Sequence, residues 1–378
     1  MSLSYDLLPG IPLVESPLFL QSVDGLNLTT IERSIALQLH ERGYALLDFP
    51  DEKIGQRIDR IKQKLAPDFD IDFEDSLAAK NVSGKLRIQD AWKHDEDVKK
   101  IAANETILEL LSKIYGRRAF PFQTLNFPVG TQQSLHSDSI HFSSIPERFM
   151  CGVWLAMEDV TAEAGPLVYI PGSHKWPILS NAMIGRNGSH YRGQSAQDPF
   201  QAAWHALIDA SSLEREHFLP QKGQALIWAA NLLHGGDRQI DPTLTRWSQV
   251  THYYFENCVY YTPAFSDEPL GALDLRTITN IATGAIEPNT YLGVEVHSRA
   301  TKAATARRGR RFWPPKSHWL ARINDSLPPD FDADVYTRLN PDVASSNQDP
   351  GEHFLRHGRK EHRRYRTTED YDSDLDES

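Results

Sequence analysis

Between Ala119 and Phe265 the chain repeats one pattern, a short run of apolar and aromatic residues followed by a break rich in Gly, Pro, Asn or Ser. The runs include Phe120–Phe127, Met150–Met157, Leu167–Ile170, Ala225–Ala229 and Trp247–Phe255. They are short for buried helices and, bounded by turn residues, read as strands. Several such strands in succession must pack face to face to bury their apolar sides, which predicts an antiparallel sandwich or jelly roll.

Helical signals flank this region. Residues 1 to about 25 read as an extended lead-in, because Pro9, Pro12 and Pro17 interrupt any regular helix. Thr29, Thr30 and Glu32 mark a helix start, and that helix should end near Gly43. Tyr44–Phe49 reads as a strand. Ile54, Ile58, Ile61 and Leu65 have helical spacing, and Val98–Tyr115 reads as one amphipathic helix closed by Gly116. The expected fold is therefore mostly β with flanking helices. An insertion at about 179–216, polar at first and helical around Ala202–Ile208, interrupts the strands where a lid or substrate loop would sit. Residues 1–298 are expected to form one domain with its core at about 119–265. A basic and Pro-bearing linker (299–330), a small helical module (331–365) and an acidic tail (366–378) follow.

Composition removes several classes of function. With 40 Lys and Arg against 51 Asp and Glu, the net charge is −11, which disfavours a nucleic-acid or anionic-membrane partner. The basic stretch 299–311 lacks a periodic apolar face and reads as solvated. No signal-peptide pattern opens the chain, and no apolar run nears the roughly 20 residues of a membrane span. A cytoplasmic protein is expected. The two cysteines, Cys151 and Cys258, form no metal-type spacing and read as buried apolar residues. The acidic run Asp68–Asp75 lacks the glycine and terminal glutamate of an EF-hand loop and reads as an exposed loop.

Within the strand region stands His136-Ser137-Asp138. Residues two apart on a strand share a face, so imidazole and carboxylate converge on one point. One more histidine would complete a 2-His-1-carboxylate set, which leaves positions open on Fe(II). His234 is the candidate, because an apolar strand delivers it and Gly235-Gly236 lets the backbone pass close to a ligand. Arg246 follows at the start of an aromatic strand, and its fork suits a carboxylate bound bidentately.

The ordered set His136-x-Asp138, Gly165-Pro166-Leu167, Pro171-Gly172-Ser173-His174, His234-Gly235 and Arg246 resembles the phytanoyl-CoA dioxygenase family of Fe(II)/2-oxoglutarate oxygenases, over roughly residues 30–265. The resemblance implies a double-stranded β-helix core of the cupin-like jelly-roll type. It implies that His136, Asp138 and His234 hold iron, that Arg246 pairs the distal carboxylate of 2-oxoglutarate, and that Gln123, Thr124 or Asn126 reaches that cosubstrate. His174 reads as structural. The implied reaction consumes O2 and 2-oxoglutarate, releases succinate and CO2, and hydroxylates a C–H of a small or medium-sized metabolite. Halogenating relatives lack the carboxylate that Asp138 supplies here. Lys85, Arg87, His141 and Arg192 are candidate substrate contacts, and Ser83–Lys93, with Trp92, is a candidate pocket wall. The alternative is a cupin-like binding protein or non-redox isomerase on the same barrel, for which Arg246 is dispensable.

The module at 331–364 carries His353, His357 and His362, two of them four apart on one helix face. No cysteine or fourth ligand accompanies them, so a helical packing element is expected rather than a zinc site. The segment is similar to short helical modules appended to various bacterial enzymes.

Overall fold

In the computed structural model the capping signals close as their chemistry dictates. Thr29 Oγ1 accepts from Glu32 N (3.2 Å) while Glu32 Oε2 accepts from Thr29 N (2.7 Å), a reciprocal capping box. The helix Thr30–Arg42 ends on Gly43 at φ 82°, and the chain runs directly into strand β1, Tyr44–Asp48. A second helix, Ile54–Leu65, buries Ile58, Ile61 and Leu65. The single helix expected over Val98–Tyr115 is instead two, Glu96–Ala102 and Glu105–Tyr115. Asn104 divides them: its Oδ1 accepts from Ile107 N and its Nδ2 donates to Pro50 O, both at 3.0 Å. An Asn that caps a new helix outcompetes continuation of the old one. The lead-in also departs from expectation, forming short helical turns at Leu13–Glu15, Phe19–Ser22 and Val23–Gly25. Pro12 and Pro17 sit just ahead of these turns, where a proline ring is tolerated.

The remaining strands of the sheets are β2 (Ile88–Gln89), β3 (Ala119–Phe127), β4 (Ser143–Ile145), β5 (Met150–Ala156), β6 (Leu167–Tyr169), β7 (Glu216–Phe218), β8 (Gln224–Ala229), β9 (His234–Gly236), β10 (Ser248–Phe255) and β11 (Val259–Tyr261). They form a six-stranded sheet ordered β1-β8-β5-β10-β3-β2, a three-stranded sheet β7-β6-β9 and a β11-β4 pair, all antiparallel. One face of the large sheet, with Val153, Ile227, Tyr253 and Phe255, packs on helix residues Ile101, Leu110, Leu111 and Ile114. The other face, with Trp154, Leu226, Trp228 and Val250, meets Leu167 and Tyr169 of the small sheet. Every residue of β5 and β10 is buried, so β5 reads as an unbroken apolar run rather than an alternating one, while β10 also buries the polar Ser248, Gln249, Thr251 and His252. The chain is thus mixed α/β, which corrects the mostly β expectation: helices cover a whole sheet face instead of merely flanking it. Beyond the sheets lie two small hairpins, Ile278–Thr279 with Ile286–Glu287 and Thr290–Tyr291 with Val294–Glu295.

The structure describes residues 7–80, 86–188, 195–297, 327, 331–345, 349–358, 363 and 365. The stretch 299–311, Pro328-Pro329, the tail 366–378 and the candidate residues Lys85, Arg192 and His362 lie outside them. Within the insertion, Gln201–Ala210 is helical, and its Trp204, with Phe200, packs beside Leu135, Ile140 and Leu233. In the acidic loop the buried Lys80 ammonium donates to the carbonyls of Asp72 (2.6 Å) and Asp75 (2.7 Å). A side-chain cation thereby braces this loop from within. Cys151 and Cys258 are free and buried. Among the described residues no helix is long and apolar enough to cross a membrane.

The chain divides into two compact units, Met1–Lys302 and Ala303–Ser378. The second contains helices Ala333–Leu339, Pro341–Ser345 and Pro350–His353 around buried Tyr336, Val343 and Phe354. His353 Nδ1 lies 3.1 Å from the Tyr336 hydroxyl, so this histidine is engaged in packing of the module.

Candidate metal centre

His136 and His234 are joined backbone to backbone, His136 N to His234 O at 2.9 Å and His234 N to His136 O at 3.0 Å. Their rings stand 4.5 Å apart, centroid to centroid. The H-x-D triplet is not within a strand, as expected, but straddles this β-bridge and a 3-10 turn, Asp138–Ile140. Ser137 between them is extended, and its Oγ accepts from Ser139 N, so residues 136 and 138 still converge. Asp138 Oδ1 lies 3.7 Å from His136 Nε2, and Oδ2 lies 3.7 Å from His234 Nε2. One ligand atom from each of the three lies within 4.8 Å of the others; all three residues are buried, and no other such cluster forms among the described residues.

The ring orientations are fixed from behind. Each Nδ1 faces a carbonyl, Ser134 O for His136 (2.9 Å) and Leu232 O for His234 (3.0 Å). Carbonyls only accept, so each Nδ1 carries the proton and each Nε2 presents a lone pair inward. Burial, aided by the neighbouring His234, pushes the His136 imidazole down to about 3, with Asp138 opposing. Burial raises the Asp138 carboxyl, but His234, His252 and His136 outweigh it and hold it well below the usual carboxylate range. An ionised Asp138 carboxylate and ring nitrogens turned inward from both histidines are the donors a divalent metal requires.

The trio opens into a cavity of about 240 Å³. Arg246 lines it and is 3 % exposed. Its Nη1 donates to Gly165 O at 3.1 Å, its Nε is buried without an acceptor, and its guanidinium lies over the Trp154 ring. Burial lowers this group to about 10, with Glu158 opposing, so it remains a cation at neutral pH. Gln123, His141 and Arg87 also line the cavity. Thr124 and Asn126 do not. On β3 only alternate side chains, Gln123, Leu125 and Phe127, face the cavity, so these two candidates fall on the opposite face, where Asn126 Nδ2 donates to Gln249. Trp92 is not in the wall either and packs partly buried against the helical core. His174 lies away from the cavity, with Nε2 3.1 Å from His40 O; its ring occupies the space above Gly43.

Three cavity residues were missed in the sequence. Trp228 Nε1 donates to Asp138 Oδ2 at 2.9 Å. His252 Nε2 lies 3.6 Å from the same oxygen, with its Nδ1 3.0 Å from Gln123 Oε1. Gln133 Nε2 sits 3.3 Å from His136 Nε2 and donates to Gln197 of the insertion at 3.0 Å. For His252 a signal was available, since it shares strand parity with Arg246 and Val250, which face the same cavity.

The sequence profile of the phytanoyl-CoA dioxygenase family matches residues 40–239, just over half of the 378-residue chain. The chain belongs to the phytanoyl-CoA dioxygenase family. It is 28% identical over 111 residues to a probable phytanoyl-CoA dioxygenase of Caenorhabditis elegans, covering 29% of this chain and 32% of that protein. It is 24% identical over 182 residues to the peroxisomal phytanoyl-CoA dioxygenase of Bos taurus, covering 46% and 50%. The chain thus spans between about a third and a half of the length of these curated relatives. Among solved structures it is similar to EctD from S. alaskensis with 2-oxoglutarate and 5-hydroxyectoine (TM-score 0.46, 16% identity, 64% of this chain and 80% of that one). It is also similar to the non-heme alpha ketoglutarate dependent carbocyclase SnoK (TM-score 0.45, 14% identity, 62% and 87%). Phytanoyl-CoA dioxygenase family members depend on iron and 2-oxoglutarate. The residues present fit both groups: two inward Nε2 lone pairs and a carboxylate for iron, and a buried guanidinium with an unpartnered Nε for a carboxylate.

Proposed function

We propose that the chain is an Fe(II)- and 2-oxoglutarate-dependent dioxygenase that hydroxylates a C–H of a small or medium-sized metabolite. The observation that carries the reading is the convergence of His136, Asp138, His234 and Arg246 on one cavity. His136 and His234 would hold iron through Nε2, each ring kept in register by its Nδ1–H bond to a carbonyl, and Asp138 would supply the carboxylate. Arg246 would bind the distal carboxylate of 2-oxoglutarate, with Gln123 on the adjoining wall. Bound together, iron and 2-oxoglutarate supply the oxidative decarboxylation that consumes O2, releases succinate and CO2, and delivers one oxygen atom to the substrate. Leu125, Phe142, Leu167 and Val250 line the same cavity and make part of its wall apolar. Arg87 and His141, also in the wall, are the proposed substrate contacts, together with Lys85 and Arg192 from outside the described residues. Asp138 favours hydroxylation over halide transfer.

The two facing sheets are read as the halves of a double-stranded β-helix. The insertion at 179–216, whose Gln197 reaches Gln133 beside His136, is read as a substrate-side cover. The proposed domain boundaries are 1–298 for the oxygenase, 299–330 for the linker and 331–365 for the module. Two free thiols and a ferrous ion support a reducing compartment, the cytoplasm, although curated relatives include peroxisomal ones.

The deciding experiment is anaerobic addition of Fe(II) and then 2-oxoglutarate, watching for the metal-to-ligand charge-transfer band. The expected outcome is a band in the wild type and its loss in Asp138→Ala. Iron binding without the band, or a band undiminished in the variant, favours the cupin-like binding or isomerase alternative.

A further inference from the structure

Gly152 of β5 pairs with Trp228 of β8 on one side and His252 of β10 on the other, and His252 pairs with Gln123 of β3. Partners across antiparallel strands share a face, so Trp228, Gly152, His252 and Gln123 form one row across four strands, on the side that carries the cavity. The glycine provides space. A Cβ at position 152 would fall 2.1 Å from Trp228 Cζ2, so the indole lies across the gap where a side chain would stand. From there its N–H reaches Asp138 Oδ2 at 2.9 Å, with Trp228 3 % and Asp138 4 % exposed.

We propose that Trp228 is a positioning residue that makes Asp138 a one-oxygen metal ligand, and that Gly152, by lacking a side chain, leaves the indole room to reach it. The inference rests on the iron reading of His136, Asp138 and His234. The indole N–H occupies Oδ2 in a charge-assisted hydrogen bond, which leaves Oδ1, 3.7 Å from His136 Nε2, for the metal. Without that bond, among the described residues only the longer approaches of His252 Nε2 (3.6 Å) and His234 Nε2 (3.7 Å) face Oδ2, so the carboxylate is less firmly held in the one-oxygen orientation. Hydrogen-bond partners behind a ligand are typically worth about 10–100-fold in metal affinity.

The test uses the full chain and Co(II), which binds oxygen and nitrogen donors and reports its coordination in the visible spectrum. Trp228→Phe keeps an aromatic ring and removes only the donor. The expected result is Co(II) affinity weakened by about 10–100-fold, an altered visible spectrum, and a metal-free melting temperature close to that of the wild type. Gly152→Ala, which pushes the indole aside, should weaken Co(II) binding in the same direction. In the native sequence, one of the eight tryptophan indole N–H signals should move in the Asp138→Ala variant, a readout that survives if Trp228→Phe fails to fold. Wild-type affinity and spectrum in Trp228→Phe, or no displaced indole signal in Asp138→Ala, overturns the proposal. Absence of Co(II) binding in the wild type overturns the iron reading together with this inference, whereas Co(II) bound by the wild type and equally well by Trp228→Phe overturns this inference alone.

Discussion

Arg246 is a cation in an apolar wall with one hydrogen bond and a buried, unpartnered Nε, an arrangement that costs stability unless an anion completes it. Replacing it by Lys keeps the charge but loses the planar fork. Arg246→Lys is therefore expected to weaken 2-oxoglutarate binding by about 10–100-fold, the worth of one or two charged hydrogen bonds at about 1.5–3 kcal/mol. Fe(II) affinity should be unchanged, and titration of the charge-transfer band measures both. At this scale the sequence is informative where a side chain is rare and its spacing is tight. That His136, Asp138 and His234 meet is readable from their order and the residues around them. Which of Gln123, Thr124 and Asn126 faces the cavity is not, because a shift of one residue in strand parity reverses the choice. Trp228 escaped notice for another reason: a tryptophan in an apolar run looks like core, and only the cross-strand vacancy at Gly152 turns its N–H toward Asp138.

Among elements, the helices Ile54–Leu65 and Glu96–Ala102 are tied by one carboxylate. Asp97 accepts from Arg60 Nε (2.7 Å), Arg60 Nη2 (2.9 Å) and Arg57 Nη1 (2.7 Å). Hydrogen bonds first from Arg60 and then from Arg57 hold its carboxyl down at about 2, against the opposing effect of burial. A carboxyl depressed in the folded state stabilises above its unfolded pKa, near 4, and the contribution fades as pH falls toward 2. Asp97→Asn should therefore lower stability by about 1–3 kcal/mol at pH 7, with the difference from wild type shrinking between about pH 4 and 2. Urea melts across that range check it. At the junction of the helix Thr30–Arg42 and β1, Gly43→Ala should cost about 2–3 kcal/mol. The residue sits at φ 82°, and an added Cβ would stand 2.4 Å from His174 Nδ1. A wild-type urea midpoint would remove His174 from the structural role given to it. Helix starts, helix ends and the main strands were legible because capping and apolar runs are local. The break at Asn104 and the short turns of the lead-in depend on partners such as Pro50, far along the chain.

At the scale of the molecule, two compact units share one chain, and the candidate site lies wholly in the first. A chain ending at Lys302 should bind Co(II) as tightly as the full length, with an unchanged melting transition for the first unit. Loss of metal binding on truncation would assign the second unit a part in the site. The sheets could be foreseen from strand-like runs, but the mixed α/β architecture could not. An apolar run does not declare whether its second face meets a sheet or a layer of helices, and β5 and β10 bury both. The two unpaired cysteines carry a consequence of their own. A centre that handles oxygen beside ferrous iron leaks peroxide whenever turnover is uncoupled, and an accessible thiolate would be its first casualty. Burial raises the Cys258 thiol to about 12, against the pull of Arg117, and raises Cys151 further still. Both remain protonated and out of reach, so the folded chain is expected to resist iodoacetamide, and labelling should count unfolding events alone.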